Sequence, residues 1–157
     1  MTDKAIQDTY PEELSHCYGC GRNNEHGHQL KSYWQHGESV AHFMPETFHT
    51  AIPGFVYGGL IASLIDCHGT GTAATVAYQN AGREPGSLPA LRFVTGALHV
   101  DFLAPTPAGI ELKLIGRPSE VKARKVVVDI EVYAGETLCA RGNVIAVLMP
   151  ESMNPQN

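Results

Sequence analysis

A single carboxylate, Asp66, stands in the apolar run YGGLIASLIDCHGTGTAATVAY from Tyr57 to Tyr78. Burying an ionised carboxylate without partners costs several kcal/mol. Asp66 must therefore be hydrogen-bonded structurally, raised in pKa, or turned towards a solvated pocket, and the last two are the states that acid–base and nucleophilic chemistry use. The run opens on Gly58-Gly59. Missing side chains at the start of a helix either expose N–H groups to a ligand oxyanion or simply allow a tight entry turn. Seven residues of helix put Gly59 and Asp66 nearly in phase but about 10 Å apart along the axis. If both act on one carbonyl, two antiparallel copies of the helix must lie side by side, each site combining Asp66 of one chain with Gly58 of another. That mechanism requires a homodimer.

Other constellations are weaker. Cys17 and Cys20 with His16, His26 and His28 invite a zinc reading, but there is no second CxxC, and His26-Gly27-His28 lacks the usual spacing. A Gly-rich turn with small buried thiols is expected instead, and no metal. Cys67 and His68 are helix neighbours about 100° apart, so they do not pair as nucleophile and base. By the period of two, His99 and Asp101 share a strand face with Thr95 as a solvated or interface-lining stripe. His49 is a candidate site-lining residue. Arg117, Lys122, Arg124 and Lys125 place four of the 11 basic residues at one hairpin, which suits phosphate groups or a solvated turn equally.

The elements that must position these groups follow from periodicity and turn signals. The Tyr57–Tyr78 run is apolar on most faces, which marks a buried helix of roughly 33 Å, and Asn80-Ala81-Gly82 stops it. Before it, LKSYWQ and ESVAHFM flank His36-Gly37 as a hairpin. After the linker GREPGSLP come four β-rich runs, 91–104, 109–118, 124–134 and 137–149, which read as a meander. In KVVVDIEVY, Val126, Val128, Ile130 and Val132 share one face, while Lys125, Asp129 and Glu131 share the other. The order predicts an α+β domain in which one antiparallel sheet covers one helix. Residues 1–15 are expected to be a flexible arm, 16–150 the folded domain and 151–157 a flexible tail.

Composition narrows the function classes. A chain of 157 residues, 43% hydrophobic and 17% charged, fits one globular domain. The net charge of -5 argues against a nucleic-acid partner. No apolar run reaches membrane-spanning length, and no secretory leader opens the chain. Four cysteines in a domain of this size read as reduced thiols. A cytoplasmic protein without a membrane partner is expected.

The segments CYGCGRNNEHG, PGFVYGGLIASLIDCHGTGTA and FVTGALHVDFLAPTPAG resemble the hotdog-fold acyl-CoA thioesterases of the phenylacetic-acid-degradation (PaaI-like) type, over residues 16–149. The resemblance implies one long central helix wrapped by an antiparallel β-sheet, and homodimers that often pair into homotetramers. It implies a thioester hydrolase with no cofactor beyond the coenzyme A of its acyl-CoA substrate. The family's helix carboxylate, base or nucleophile, matches Asp66; its Gly-Gly matches Gly58 and Gly59, with the Gly58 N–H as oxyanion donor. Its water-positioning hydroxyl matches Thr95, and the turn that follows matches Ala104-Pro105. Tyr57, Gly59 and His49 would line the substrate site, and Arg117, Lys122, Arg124 and Lys125 would meet the phosphates of coenzyme A. The departure lies before the glycines, where many members carry His and this chain has Tyr57; the nearest position to an Asn of that loop is Ala51. Tyr donates a hydrogen bond but supplies no base near neutral pH. Two other readings are a hotdog hydratase or dehydratase and a non-catalytic acyl-CoA-binding module.

Overall fold

The computed structural model describes residues 3–155, so the outermost residues of the expected arm and tail, 1–2 and 156–157, lie outside it. Six strands and one long helix follow in the order β1 (Ser32–Gln35), β2 (Glu38–Phe43), α1 (Gly58–Asn80), β3 (Phe93–Phe102), β4 (Leu112–Lys122), β5 (Lys125–Ala134) and β6 (Thr137–Leu148). All strand pairings are antiparallel, in the spatial order β1-β2-β4-β5-β6-β3. The expected hairpin turns through His36 and Gly37, both at positive φ (51° and 80°), the conformation that matches strand twist in a two-residue turn.

The meander holds only for β4, β5 and β6. Instead of pairing with β4, β3 crosses to the far side of β6, and β2 takes the place beside β4. β3 thereby becomes an edge strand, exposed over most of its length, with one row of backbone groups unpaired.

One face of the sheet packs on α1 through Val126, Val128, Ile130 and Val132 of β5 and Ala140, Val144 and Ala146 of β6, all essentially inaccessible. The backbone of β6 approaches so closely that a Cβ at Gly142 would lie 2.3 Å from Ile65 Cγ2. Sixteen of the 23 helix residues are buried, more than one sheet face alone covers.

The N-terminal segment supplies the remaining cover. Expected as a loose arm, it forms two short 3-10 turns, Ile6–Thr9 and Glu12–Leu14, with Ala5, Ile6, Gln7 and Tyr10 buried. Arg22 holds it down, one terminal nitrogen donating to the Gln7 and Tyr10 carbonyls and to Ser15 Oγ at 3.1, 2.9 and 2.6 Å. At the other end, residues 151–155 are exposed. Among the described residues no helix is long and apolar enough to cross a membrane.

Candidate active site

Asp66 lies midway along α1, part-exposed beside β3. The Thr95 hydroxyl donates to Asp66 Oδ1. Burial raises the Asp66 pKa above the usual carboxylate range; the Thr95 hydrogen bond opposes the shift, nearby Cys17 adds to it and Arg92 offsets part of it. The site therefore holds a carboxylate with enhanced basicity and a hydroxyl aimed at it, at the edge of the sheet.

A β-bulge brings Thr95 there. The β3–β6 register shifts between Thr95 and Ala97, so Thr95 pairs with Ala146 on the helix-facing side, while His99 pairs with Asn143 and Asp101 with Arg141 on the outer side. The expectation that Thr95, His99 and Asp101 share one face is thus corrected: the extra residue, Gly96, reverses the alternation. His99 and Asp101 bond each other at 3.1 Å on the outer surface. Gly96 also fits its place sterically, since a Cβ there would sit 3.2 Å from the Ile145 carbonyl oxygen.

Gly58 is the first residue of the helix, after Tyr57 as N-cap. The N–H groups of Leu60 and Ile61 turn back onto the Tyr57 carbonyl. Those of Gly58 and Gly59, at the positive end of the helix dipole, have no intrahelical acceptor. The space beside Gly59 is occupied by the Tyr57 ring, which would come within 2.6 Å of a Cβ there, whereas a Cβ at Gly58 would meet only the Phe102 ring, at 3.3 Å. Of the two glycines, Gly58 is the more open. A shallow apolar groove beside it is lined by Phe55, Val56, Ile61, Phe102 and Leu103. Eight residues of helix separate Gly58 from Asp66, about 12 Å along the axis.

The remaining candidates are dispersed. His49 Nδ1 accepts the Glu46 N–H at 2.9 Å, and its ring packs on His28, Phe43 and Phe48. Its carbonyl accepts the Tyr57 N–H, tying this loop to the helix start. Arg117 lies on the outer face between Glu38 (3.0 Å) and Glu131 (2.8 Å), so two carboxylates already answer its charge. Lys122 and Lys125 flank Glu120 near the β4–β5 tip, which also carries exposed Arg124. Lys125 stands opposite Val147, and Val147 opposite Val94. The tip thus shares Thr95's end of the sheet, about 10 Å away across two strand spacings.

His68, two residues from Asp66, is fully buried. Its Nδ1 bonds Ser32 Oγ at 2.8 Å and its Nε2 bonds Ser39 Oγ at 3.0 Å. Burial lowers its pKa to about 4, against a weaker upward pull from the Ser39 carbonyl. Cys67, on another face, contacts Cys17, so the two neighbours do not cooperate.

A single long helix wrapped by one antiparallel sheet is the hotdog fold. Residues 53–141, more than half of the chain, match the family model of the thioesterase superfamily, and the protein belongs to that superfamily. A thioesterase-superfamily protein from Shewanella loihica is 53% identical over 92% of this chain and 99% of its own, with a TM-score of 0.68. The Escherichia coli PaaI protein of the phenylacetic acid degradation operon shares the fold at 18% identity, with 78% of this chain and 81% of its own covered and a TM-score of 0.63. A Haemophilus influenzae thioesterase does so at 12% identity, with 87% and 89% covered and a TM-score of 0.67. No curated protein sequence matches the chain. The reaction class that the family defines is thioester hydrolysis.

Proposed function

We propose that the protein hydrolyses acyl-CoA thioesters at a site shared by two chains. The observation that carries this reading is the Thr95–Asp66 hydrogen bond at an open sheet edge. Asp66 takes a proton from water or attacks the thioester carbon directly, Thr95 orients the attacking group, and the Gly58 N–H of a second chain holds the oxyanion.

A second chain is needed because about 12 Å of helix separates the two halves within one. The β3 edge and the loops at its end suit such a contact: Leu98, Phe102 and Leu103 are exposed there, as are Phe55 and Tyr57 near the helix start. The apolar groove beside Gly58 would take the acyl group, with Tyr57 and Gly59 at its mouth and His49 behind the loop. Lys122, Arg124 and Lys125 would meet the phosphates of coenzyme A. Arg117, held by two carboxylates, contributes less to that contact.

Hydration chemistry has less support, since the one histidine beside Asp66 in sequence is sealed in the core and His49 is turned into an aromatic cluster. The test is release of free thiol from a panel of acyl-CoAs, including enoyl-CoA, by wild type and Asp66→Asn. Hydrolysis by wild type and loss of about 100-fold or more in the variant is the expected result. Equal rates, or hydration of enoyl-CoA with the thioester intact, would overturn the assignment.

A further inference from the structure

The CxxC segment does not act alone. Cys17, Cys20 and Cys67 converge so that their three sulfurs all lie within 4.8 Å of one another, with Cys17 Sγ and Cys67 Sγ 3.8 Å apart. The third sulfur comes from α1, one residue after Asp66, so a pattern search along the sequence for a second CxxC misses it. No histidine or carboxylate of the described residues joins the group; His28 packs between Tyr18 and His49, and His26 stands at the surface beside Glu25.

We propose that Cys17, Cys20 and Cys67 bind a zinc ion through three thiolates, with solvent completing the tetrahedron. Zinc–sulfur bonds of about 2.3 Å at tetrahedral angles place sulfurs about 3.8 Å apart, so the observed spacing needs only small side-chain adjustments. Cys20 and Cys67 are buried and Cys17 is half-buried, which leaves the Cys17 side for the solvent ligand.

Two further observations point to a built site. The loop is shaped around the sulfurs: a Cβ at Gly19 would lie 2.3 Å from Cys67 Sγ, and the Gly21 N–H closes a tight turn onto the Cys17 carbonyl at 2.7 Å. Zinc binding would release the three thiol protons to solvent.

Arg92 is the second. It is part-buried over the Tyr10 ring, 4.5 Å from its centroid, and forms no ion pair with a carboxylate among the described residues, although its charge is also felt at Asp66. Three thiolates and one zinc ion carry a single net negative charge, which this guanidinium complements. The ion would pin the CxxC loop to the helix beside Asp66.

The experiment uses the full chain, reduced and stripped of metal by a chelator, and titrates it with Co2+ as a spectroscopic stand-in for zinc. Expected are sulfur-to-cobalt charge-transfer absorption saturating at one ion per chain, bleaching by Zn2+, and affinity at least about 10-fold lower in Cys17→Ser and Cys20→Ser. Cys139→Ser should leave binding unchanged, because Cys139 lies outside the thiol group and its Sγ bonds the Pro105 and Thr137 carbonyls. Alkylation of Cys17 in the unmutated protein gives a readout independent of variant folding, and Zn2+ should slow it by about 10-fold or more. Absence of thiolate–cobalt absorption with no protection from alkylation would overturn the proposal, as would undiminished binding in a Cys17→Ser/Cys20→Ser double variant.

Discussion

Asp66 and His68 sit two residues apart on one helix, and the fold treats them in opposite ways. His68 points into the layer between helix and sheet, where Ser32 and Ser39 answer both ring nitrogens. Ser32 is in turn fixed by the Gln7 side chain, and Ser39 by Thr72. These side chains answer one another within the core. Asp66 has one side-chain partner, Thr95, and keeps an open side at the sheet edge. The contrast separates a polar residue that specifies packing from one that is available for chemistry, although sequence alone presents both as polar interruptions of the same apolar run.

The largest expected effect that would sharpen this contrast is on the Asp66 side. Asp66→Asn keeps the shape and removes the base, so thioester hydrolysis should fall about 100- to 1,000-fold while the melting temperature barely moves. His68→Ala should do the reverse. It empties a buried site and leaves Ser32 and Ser39 partly unpaired, costing on the order of 3 kcal/mol in denaturant unfolding, with activity per folded molecule far less affected.

Stability should also report His68 through pH. Its folded pKa of about 4 lies below the ordinary 6.5, so between those values the unfolded chain binds a proton that the native state refuses. Its contribution is therefore complete above pH 6.5 and is lost as pH falls towards 4, by up to about 3 kcal/mol. Chemical denaturation at pH 7 and pH 5 should show about 2 kcal/mol of that loss in wild type and a smaller one in His68→Gln; identical losses would break the comparison. The smallest effect is expected at Thr95→Val, about 10-fold in kcat with stability nearly unchanged, because the hydroxyl orients rather than reacts.

Elements with strong local signals were legible in the sequence. The helix expected from Tyr57 to Tyr78 spans Gly58–Asn80, with Gly82 at φ 65° just beyond its end, and the alternating valines of β5 face the core as read. Asp66, Gly58 and Thr95 stand out by type, spacing and resemblance, and the structure joins Thr95 to Asp66 by a hydrogen bond. What escaped depends on contacts distant in sequence. Nothing local to 93–102 says that β3 pairs with β6 instead of β4, and a period-two reading has no means of seeing the bulge at Gly96 that turns Thr95 and His99 to opposite faces. The N-terminal segment looked loose because its buried Ile6, Gln7 and Tyr10 follow no regular period, and the thiol group stayed hidden because Cys67 lies 50 residues from Cys17.

Subunit mixing tests the shared site most directly. Gly58 is the first helical residue and Tyr57 has φ -62° and ψ 129°, so Gly58→Pro should be tolerated by the helix while deleting the N–H proposed to hold the oxyanion. Asp66→Asn and Gly58→Pro should each form nearly inactive homodimers. Unfolded together and refolded in equal amounts, they should recover about one quarter of wild-type acyl-CoA hydrolysis, because half the dimers are hybrids and each hybrid contains one intact site. If hybrids form but activity stays at the level of the two parents, Asp66 and the Gly58 N–H do not meet across an interface, and the account of the site fails.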